Sequence, residues 1–433
     1  MPTHSFLQAK VRDLAARASR LAHFDHASVG LRPQDMPFAP SAAHFRAAND
    51  RLAKIDGAVR RHLGALRRMG AQSPRQQVLH QIALVEREID RSRRAFGLFF
   101  EVFSQRGSSF APALAAHDAI AVSCYDSVRL SSPDLFRGPL LKPVSYMEHG
   151  FSPATMRRGV VLNRLLGEPN PFPLIRIPWD RESPWQAVFL HEVAHNLQAD
   201  LGIWQENRRA VVQRALGSVG QPLLARIYGR WHKEIFADLA AILLGGPSAA
   251  WGMASFLAHP ATRVLSFRPA SAHPTAYLRV FLLAEMLQRM GFGGEATRLR
   301  RVWSDLYGSQ APGRIPPWLV GSAAGLIPQI VDEIAFQPRR NLAQRALADV
   351  ISFKRSDQRS ILAGARSLAR GVVPTDLPPR FLVSAGSYAL ESGAVSAQEL
   401  SHQLVHYLAS LNREPVPRSA TPALSRPFAA MAA

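Results

Sequence analysis

The sequence predicts a mainly α-helical protein of the α+β class, with helices along most of the chain and a minor strand component. Long stretches in which apolar residues recur every three or four positions are typical of helices with one buried face. One short apolar run between prolines is typical of a strand instead. Hydrophobic residues make up 47% of the 433 residues, which allows a substantial core and excludes a disordered chain. We expect about two or three domains from this length.

The first predicted domain is an N-terminal helical region at 1–110 that contains a long helical hairpin. Apolar positions alternate in steps of three and four through 45–69, and the same pattern returns through 74–105. The short connection between these segments predicts that the two helices pack antiparallel. The hairpin can serve as a lid, a prosegment or a partner-binding arm, and the sequence leaves these roles open.

The second predicted domain, residues 111–312, is expected to contain the short strand. The run Leu174–Ile177 lies between Pro173 and Pro178. Because proline cannot donate a hydrogen bond to a central β-ladder, this run is predicted to form the edge strand of a sheet. An edge strand can pair with an extended peptide, so this strand is a candidate for docking a substrate.

Further helices are predicted along the rest of the chain. A capping pattern at Ser183 predicts that a helix begins there, and another helix at 230–244 is followed by a Gly-Gly-Pro sequence that ends it. Residues 313–413 are expected to form a C-terminal helical accessory region. Residues 414–433 are rich in proline, alanine and serine, which predicts a disordered tail.

Composition also bears on the compartment and the partners. The single cysteine, Cys124, excludes an internal disulfide and fits a reducing environment. The N-terminus lacks the apolar segment of a signal peptide, and no apolar run approaches the ~20 residues that span a bilayer. We therefore expect a cytoplasmic protein without a membrane span. The net charge of +20 allows a nucleic-acid partner, but the arginine pairs are scattered and form no basic stripe, so this interpretation is less favoured. The oligomeric state stays open.

The stretch VFLHEVAHNLQAD, residues 188–200, places two histidines and a glutamate in an apolar run. His191 and His195 are four residues apart, so on a helix both imidazoles face one side and can bind one metal ion. Glu192 lies beside them, where its carboxylate can take a proton from a water molecule at the metal. These three residues form the predicted centre of a catalytic metal site.

The class of this site depends on a third ligand. A structural zinc site would need thiolates that one cysteine cannot supply, whereas a catalytic site needs three ligands and an open position. The longer motif with a third histidine is excluded, because Gln198 and Leu201 occupy its glycine and histidine positions. Asp200 points about 140° away from His195 on an ideal helix, so we expect it to face solvent or to cap the helix end.

Glu234 is the better candidate for the third ligand, and Asp238 follows it one helical turn later. Their helix is apolar nearly all round, so two carboxylates within it need partners. Glu234 is therefore predicted to bind the ion, and Asp238 to accept a hydrogen bond from the second ring nitrogen of a histidine ligand. One zinc ion is the expected cofactor.

H-E-x-x-H on one helix and E-x-x-x-D on the next resemble the gluzincin zinc metallopeptidases, in which Glu192 would correspond to the general base. The segment SAHPTAYLR at 271–279 is similar to the H-P-x-x-x-x-R segment of prenyl-protein (CaaX-type) peptidases. Together these resemblances imply hydrolysis of a peptide or protein substrate. His273 is the first candidate for a second hydrogen-bond donor to the oxyanion, followed by Tyr277, Arg279 and Tyr228.

Three functions remain open from the sequence. The chain can be an active zinc endopeptidase or aminopeptidase, a metal-containing regulatory or scaffolding protein without proteolytic activity, or a basic nucleic-acid-associated protein with an accidental motif. The intact Glu192 favours the enzyme. His402 and His406 repeat the histidine spacing, but Gln403 stands between them and an amide cannot act as a base, so we expect structural or surface histidines.

Overall fold

The computed structural model describes residues 3–69, 72–136, 140–150, 153–162, 165, 167 and 169–411, so the predicted tail at 414–433 lies outside the described residues. Over the described part the protein is mainly helical with one small sheet, which confirms the predicted class. In chain order the α-helices are α1 (Thr3–Arg20), α2 (Ala42–Arg68), α3 (Arg75–Ser104), α4 (Ala111–Arg129), α5 (Val188–Asp200), α6 (Trp204–Val219), α7 (Pro222–Gly245), α8 (Pro247–Leu257), α9 (Ala261–Val264), α10 (Ala276–Arg289), α11 (Gly293–Tyr307), α12 (Pro317–Ala335), α13 (Leu347–Val350), α14 (Arg355–Leu368), α15 (Pro379–Glu391) and α16 (Ala397–Ser410). Within these residues, no helix is both long and apolar enough to cross a membrane.

The strands β1 (Val144–Met147), β2 (Ala154–Met156) and β3 (Leu174–Ile177) form one sheet in the order β1-β3-β2. β3 pairs parallel with β1 and antiparallel with β2. The prediction of an edge strand at 174–177 is therefore wrong, and this strand has no open edge for a substrate. The reason is that the flanking prolines lie just outside the paired residues: Pro173 only accepts a hydrogen bond, through its carbonyl, from the amide of Val144.

Side chains cover the outer edge of β1. Gln105 accepts a hydrogen bond from the amide of Met147 at 2.7 Å and donates one to its carbonyl at 2.8 Å. Asp118 accepts one from the amide of Ser145, and the buried Arg106 donates both to the carbonyl of Ser145 and to Asp118. These bonds occupy the backbone groups that an added strand would need. β2, in contrast, is half-buried and lies against α5.

The helices α2 and α3 form the N-terminal hairpin. They lie antiparallel, because Phe45 near the start of α2 meets Phe103 at the end of α3, with ring centroids 4.7 Å apart. Further along, Gln81 of α3 donates a hydrogen bond to the carbonyl of His62. The far end of the hairpin packs against α1, and the near end packs its phenylalanines against residues of β1 and β3.

One large apolar core joins most of the remaining elements. It contains buried residues of α4 and of the sheet, of α5 and α7, and of α14, α15 and α16 from the C-terminal stretch. A close approach fixes the end of α7: Gly246 has a φ of +73°, and a Cβ there would clash with the ring of Phe353. Only glycine fits both requirements, so the Gly-Gly-Pro sequence ends this helix, as predicted.

Candidate metal centre

α5 carries the H-E-x-x-H motif and is buried along nearly its whole length. It begins at Val188 rather than at Ser183, so the predicted start is wrong. The carbonyl of Trp185 accepts a hydrogen bond from the hydroxyl of Ser387 on α15, at 2.9 Å, and is thereby used outside the helix. The two histidines of the motif lie one turn apart within α5.

α7 supplies acidic residues opposite these histidines. It runs antiparallel to α5, since His191 contacts Asp238 and His195 contacts Glu234. Both carboxylates are buried, with Glu234 3% and Asp238 1% exposed. Carboxylates that are buried this far need partners, and the histidines of α5 supply them.

Three ligand atoms converge on one point between α5 and α7. Oε2 of Glu234 lies 3.4 Å from Nε2 of His191 and 3.6 Å from Nε2 of His195. Metal–ligand bonds of about 2.0–2.2 Å at a tetrahedral angle of about 109° place two ligand atoms about 3.4 Å apart. The three side chains are buried and their ligand atoms lie within 4.8 Å of one another, so this group can hold a metal ion.

Asp238 orients one of the histidines. Nδ1 of His191 donates a hydrogen bond to Oδ1 of Asp238 at 2.9 Å, which leaves Nε2 for an ion. Arg279 of α10 donates two hydrogen bonds to the same carboxylate, at 2.5 and 2.7 Å. A bidentate pair of this kind fixes both side chains. Arg279, a sequence candidate for contact with the oxyanion, is therefore engaged with Asp238.

The charges of the group shift the pKa values of its members in different directions. Burial lowers the pKa of His191, but the charge of Asp238 and hydrogen bonds with Asp238 and Glu234 outweigh burial and raise the value to about 9. Burial lowers the pKa of His195 to about 4. Burial raises the pKa of Glu234, yet hydrogen bonds from both histidines bring it far below its usual range. A pKa above neutrality favours the doubly protonated form of His191, and a metal ion has to displace the proton on Nε2.

Glu192 lies beside the ligands and is 8% exposed. It does not belong to the group of three converging side chains. Burial raises the pKa of its carboxyl to about 7, against the charges of His191 and Arg279, which lower it. A carboxyl with a pKa near neutrality can both accept and return a proton.

Of the four candidate donors to an oxyanion, the structure brings His273 and Arg279 to the group. Nε2 of His273 lies 3.4 Å from Oε2 of Glu234, and the side chain of His273 is 63% exposed. Tyr277 packs on a phenylalanine ring of its own helix, and Tyr228 is buried against a tryptophan. Within the described residues, neither tyrosine forms a hydrogen bond with His191, His195 or Glu234, which are called the metal group below.

Residues that the sequence does not single out also border the group. Arg157, which follows β2, places its guanidinium 4.2 Å from the ring centroid of Trp204, the first residue of α6. Nζ of Lys233 lies 3.8 Å from Oε1 of Glu234. Arg157 is visible in the sequence only as a member of one scattered arginine pair, and no spacing rule connects it to Glu234.

Asp200 is buried, which corrects the expectation that it faces solvent or caps α5. It accepts a hydrogen bond from the hydroxyl of Tyr125 at 2.6 Å and one from Nε of Arg158 at 2.9 Å. These bonds tie the end of α5 to α4 and to the segment that follows β2. Asp200 thereby helps to place Arg157 near the metal group, since Arg158 is its neighbour in the chain.

Comparison of the chain with known proteins finds no matching protein-family model, no matching curated protein and no matching solved structure.

Proposed function

We propose that the protein is a zinc-dependent peptidase of the gluzincin type, with His191, His195 and Glu234 as the zinc ligands. The observation that carries this proposal is the convergence of two imidazole nitrogens and one carboxylate oxygen at tetrahedral spacing. Two histidines and one glutamate are a ligand set of catalytic zinc in peptidases. Three protein ligands leave one position open for water and substrate.

Zinc fits this set of donor atoms. Magnesium and calcium prefer oxygen ligands, so two imidazoles disfavour both ions. When bound, zinc polarises a substrate carbonyl and lowers the pKa of water at the open position toward neutrality. The expected stoichiometry is about one ion per chain.

Side chains of the protein are proposed to carry out proton transfer, to stabilise the oxyanion and to orient a metal ligand. Glu192 takes a proton from the attacking water and later returns it to the leaving amine, and its buried position with a pKa of about 7 supports both transfers. His273, an exposed imidazole beside Glu234, donates a hydrogen bond to the oxyanion of the tetrahedral intermediate. Asp238 holds His191 with Nε2 toward the ion.

The outer edge of β2 is the proposed docking edge for an extended substrate. β3 is paired on both sides, and the backbone groups of β1 are bonded to side chains. β2 lies against α5, so a peptide added there runs close to the H-E-x-x-H motif. Main-chain hydrogen bonds would then hold the substrate without selecting its side chains.

Zinc analysis and cleavage of casein and of a peptide library test this proposal. The wild type is expected to bind zinc and to cleave. Glu192→Gln is expected to keep zinc and to lose cleavage by about 10²–10⁴-fold, because an amide cannot take up the proton. His402→Gln is the matched control: His402 has the same histidine spacing but is exposed on α16, so zinc and cleavage are expected to stay unchanged.

Each alternative has its own outcome in these assays. Full cleavage by Glu192→Gln would contradict the mechanism. Zinc binding without cleavage by the wild type would favour a metal-containing regulatory or scaffolding protein. Failure of the wild type to bind zinc would favour the basic nucleic-acid-associated protein.

A further inference from the structure

The cleft beside the metal group has basic side chains on both sides of Glu234, and Lys233 is the charged one of the two in direct contact with it. Nζ of Lys233 lies 3.8 Å from Oε1 of this carboxylate, and Nε2 of His273 lies 3.4 Å from Oε2. Arg157 is half-buried and close enough for its charge to act on both Glu234 and His195. The bare carboxylate of Glu234 is thus surrounded by basic groups.

Two of these cations lie over the aromatic ring of Trp204. The guanidinium of Arg157 lies 4.2 Å and Nζ of Lys233 lies 5.9 Å from the centroid of its ring. A cation–π contact stabilises a cation without neutralising it. Within the described residues, the guanidinium of Arg157 has no hydrogen-bond or ion-pair partner within bonding distance, so its N–H donors remain for a ligand.

A pocket of about 440 Å³ opens beside His273, and the positive charge of its lining comes from two arginines. Its basic lining residues besides His273 are His259, Arg263 and Arg268. No carboxylate is found among the described residues that line it. The potential on this side of Glu234 therefore also favours an anionic ligand.

Binding of a divalent ion changes the charge of the whole cleft. Without the ion, Glu234 is the anion next to Arg157 and Lys233. With the ion, Glu234 is a metal ligand, and the net charge of the cleft rises by one, because the two charges of the ion replace the proton of His191. Among the described residues, the two cations over Trp204 then have no other carboxylate within ion-pair distance, and they attract an anion from the ligand. A guanidinium suits a carboxylate because it can donate two parallel hydrogen bonds.

We propose that the cleft selects peptides that carry a carboxylate next to the cleaved bond, and that Arg157 and Lys233 over Trp204 bind this carboxylate. The inference rests on the proposed function, since the metal fixes where the cleaved bond lies. The carboxylate comes from an aspartate or glutamate side chain or from the C-terminus of the peptide, which share the same chemistry. A lysine or arginine at this position of the substrate is repelled.

Three short peptides with a zinc-binding hydroxamate test the inference on the zinc-loaded full-length protein. The reference peptide has glutamine next to the hydroxamate and a C-terminal amide. The second replaces the glutamine by glutamate, and the third keeps the glutamine but has a free C-terminal carboxylate. Calorimetry is expected to show that at least one anionic peptide binds about tenfold more tightly than the reference. The tighter of the two anionic peptides identifies the source of the carboxylate.

Variants show which residues produce the preference. Arg157→Gln is expected to reduce it to about twofold or less, because the bidentate donor is lost. Arg209→Gln is the matched control: it removes an exposed arginine of α6 and is expected to keep the preference. Zinc stoichiometry and thermal melting of each variant report whether the fold and the metal site are intact.

Equal affinities for the three peptides, or a preference that Arg157→Gln leaves unchanged, would overturn the inference and leave the proposed peptidase standing. Zinc binding without any cleavage would overturn the peptidase alone, because the hydroxamates need only the metal. A wild type that binds no zinc would overturn both.

Discussion

Two antiparallel helix pairs in this molecule, α2/α3 and α5/α7, use their charged residues differently. In the first pair, Glu86 contacts Lys10 and Arg17 of α1. Other acidic residues contact arginines of the same helix, as Asp90 contacts Arg93 at 3.0 Å and Arg94 at 2.7 Å. These side chains are 43–66% exposed. In α5/α7 the acidic residues contact histidines of the other helix, and the side chains of His191 and Asp238 are at most 5% exposed.

The difference shows what each kind of contact does for the molecule. An exposed pair within one helix contributes little, because water screens the charges and both side chains lose freedom. A buried charge costs much desolvation, so it is tolerated only when every partner is in place. The α2/α3 pairs therefore keep a helix surface soluble, whereas the α5/α7 pairs hold ligand atoms in position. Packing two helices antiparallel does not by itself bring ligand atoms together, whereas the side chains that pair across α5 and α7 form a buried group that could hold a metal ion.

The largest expected effect on stability and zinc affinity comes from substituting Asp238, the buried carboxylate that contacts His191 and is not a predicted metal ligand. Asp238→Asn leaves the buried guanidinium of Arg279 without its anionic partner and is expected to lower the free energy of unfolding by about 3–5 kcal/mol. It also removes the acceptor that orients His191, so zinc affinity is expected to fall about 10–100-fold. Denaturant unfolding of the metal-free protein and a zinc titration measure the two effects separately.

The double substitution Asp238→Asn/Arg279→Met is the control for this prediction. Removing both charges is expected to restore part of the stability, because no unpaired guanidinium stays buried. Zinc affinity is expected to stay low, since His191 still lacks its acceptor. If the double variant were as unstable as Asp238→Asn, the loss would not come from an unpaired charge.

A second prediction compares one buried histidine from each helix pair in the metal-free protein. His191 is expected to titrate near pH 9, because the charge of Asp238 and hydrogen bonds with Asp238 and Glu234 outweigh its burial. His44 of α2 has the carbonyl of Lys142 as an acceptor, and burial lowers its pKa below the usual value. NMR titration of selectively labelled imidazoles measures both. Asp238→Asn is the control and is expected to bring the pKa of His191 down.

The raised pKa of His191 also predicts how stability depends on pH. Its contribution is fully present below the unfolded value of 6.5 and is lost as the pH rises through about 9. The loss is on the order of 3 kcal/mol in the metal-free protein. Denaturant unfolding at pH 6.5 and pH 9 measures it. A His191 that titrates below pH 6.5 would show that the cross-helix carboxylates do not control this group.

The sequence predicts those parts of the fold and of the site that local patterns determine. The apolar spacing of α2 and α3 is a property of each helix alone, and so is the end of α7, where Gly246 needs a positive φ. The candidate ligands follow from spacing within α5 and α7 in the same way. His191 and His195 share a face because they are four residues apart, and Glu234 is the predicted third ligand because a buried carboxylate needs a partner.

The sequence does not predict features that depend on distant parts of the chain. α5 begins late, and the carbonyl of Trp185 just before it accepts a hydrogen bond from Ser387, 202 residues further along. The strand at 174–177 is central because β1 and β2 pair with it on either side, which prolines outside the ladder do not prevent. Arg157 lies near the metal group because of the path that the chain takes after β2, and no local sequence pattern predicts this path.

The smallest expected effect returns to the exposed charges of the hairpin. Asp90→Asn removes the acceptor of Arg93 and Arg94 on α3, where its own side chain is 43% exposed. The free energy of unfolding is expected to change by no more than about 1 kcal/mol, and the change is expected to shrink at high salt. Zinc affinity is expected to match that of the wild type, because these charges face solvent and pair only within their helix. The same unfolding and zinc titrations as for Asp238→Asn measure both quantities.

A loss above about 2 kcal/mol, or weaker zinc binding, would mean that the surface charges of the hairpin are coupled to the metal group, and the contrast between the two helix pairs would not hold.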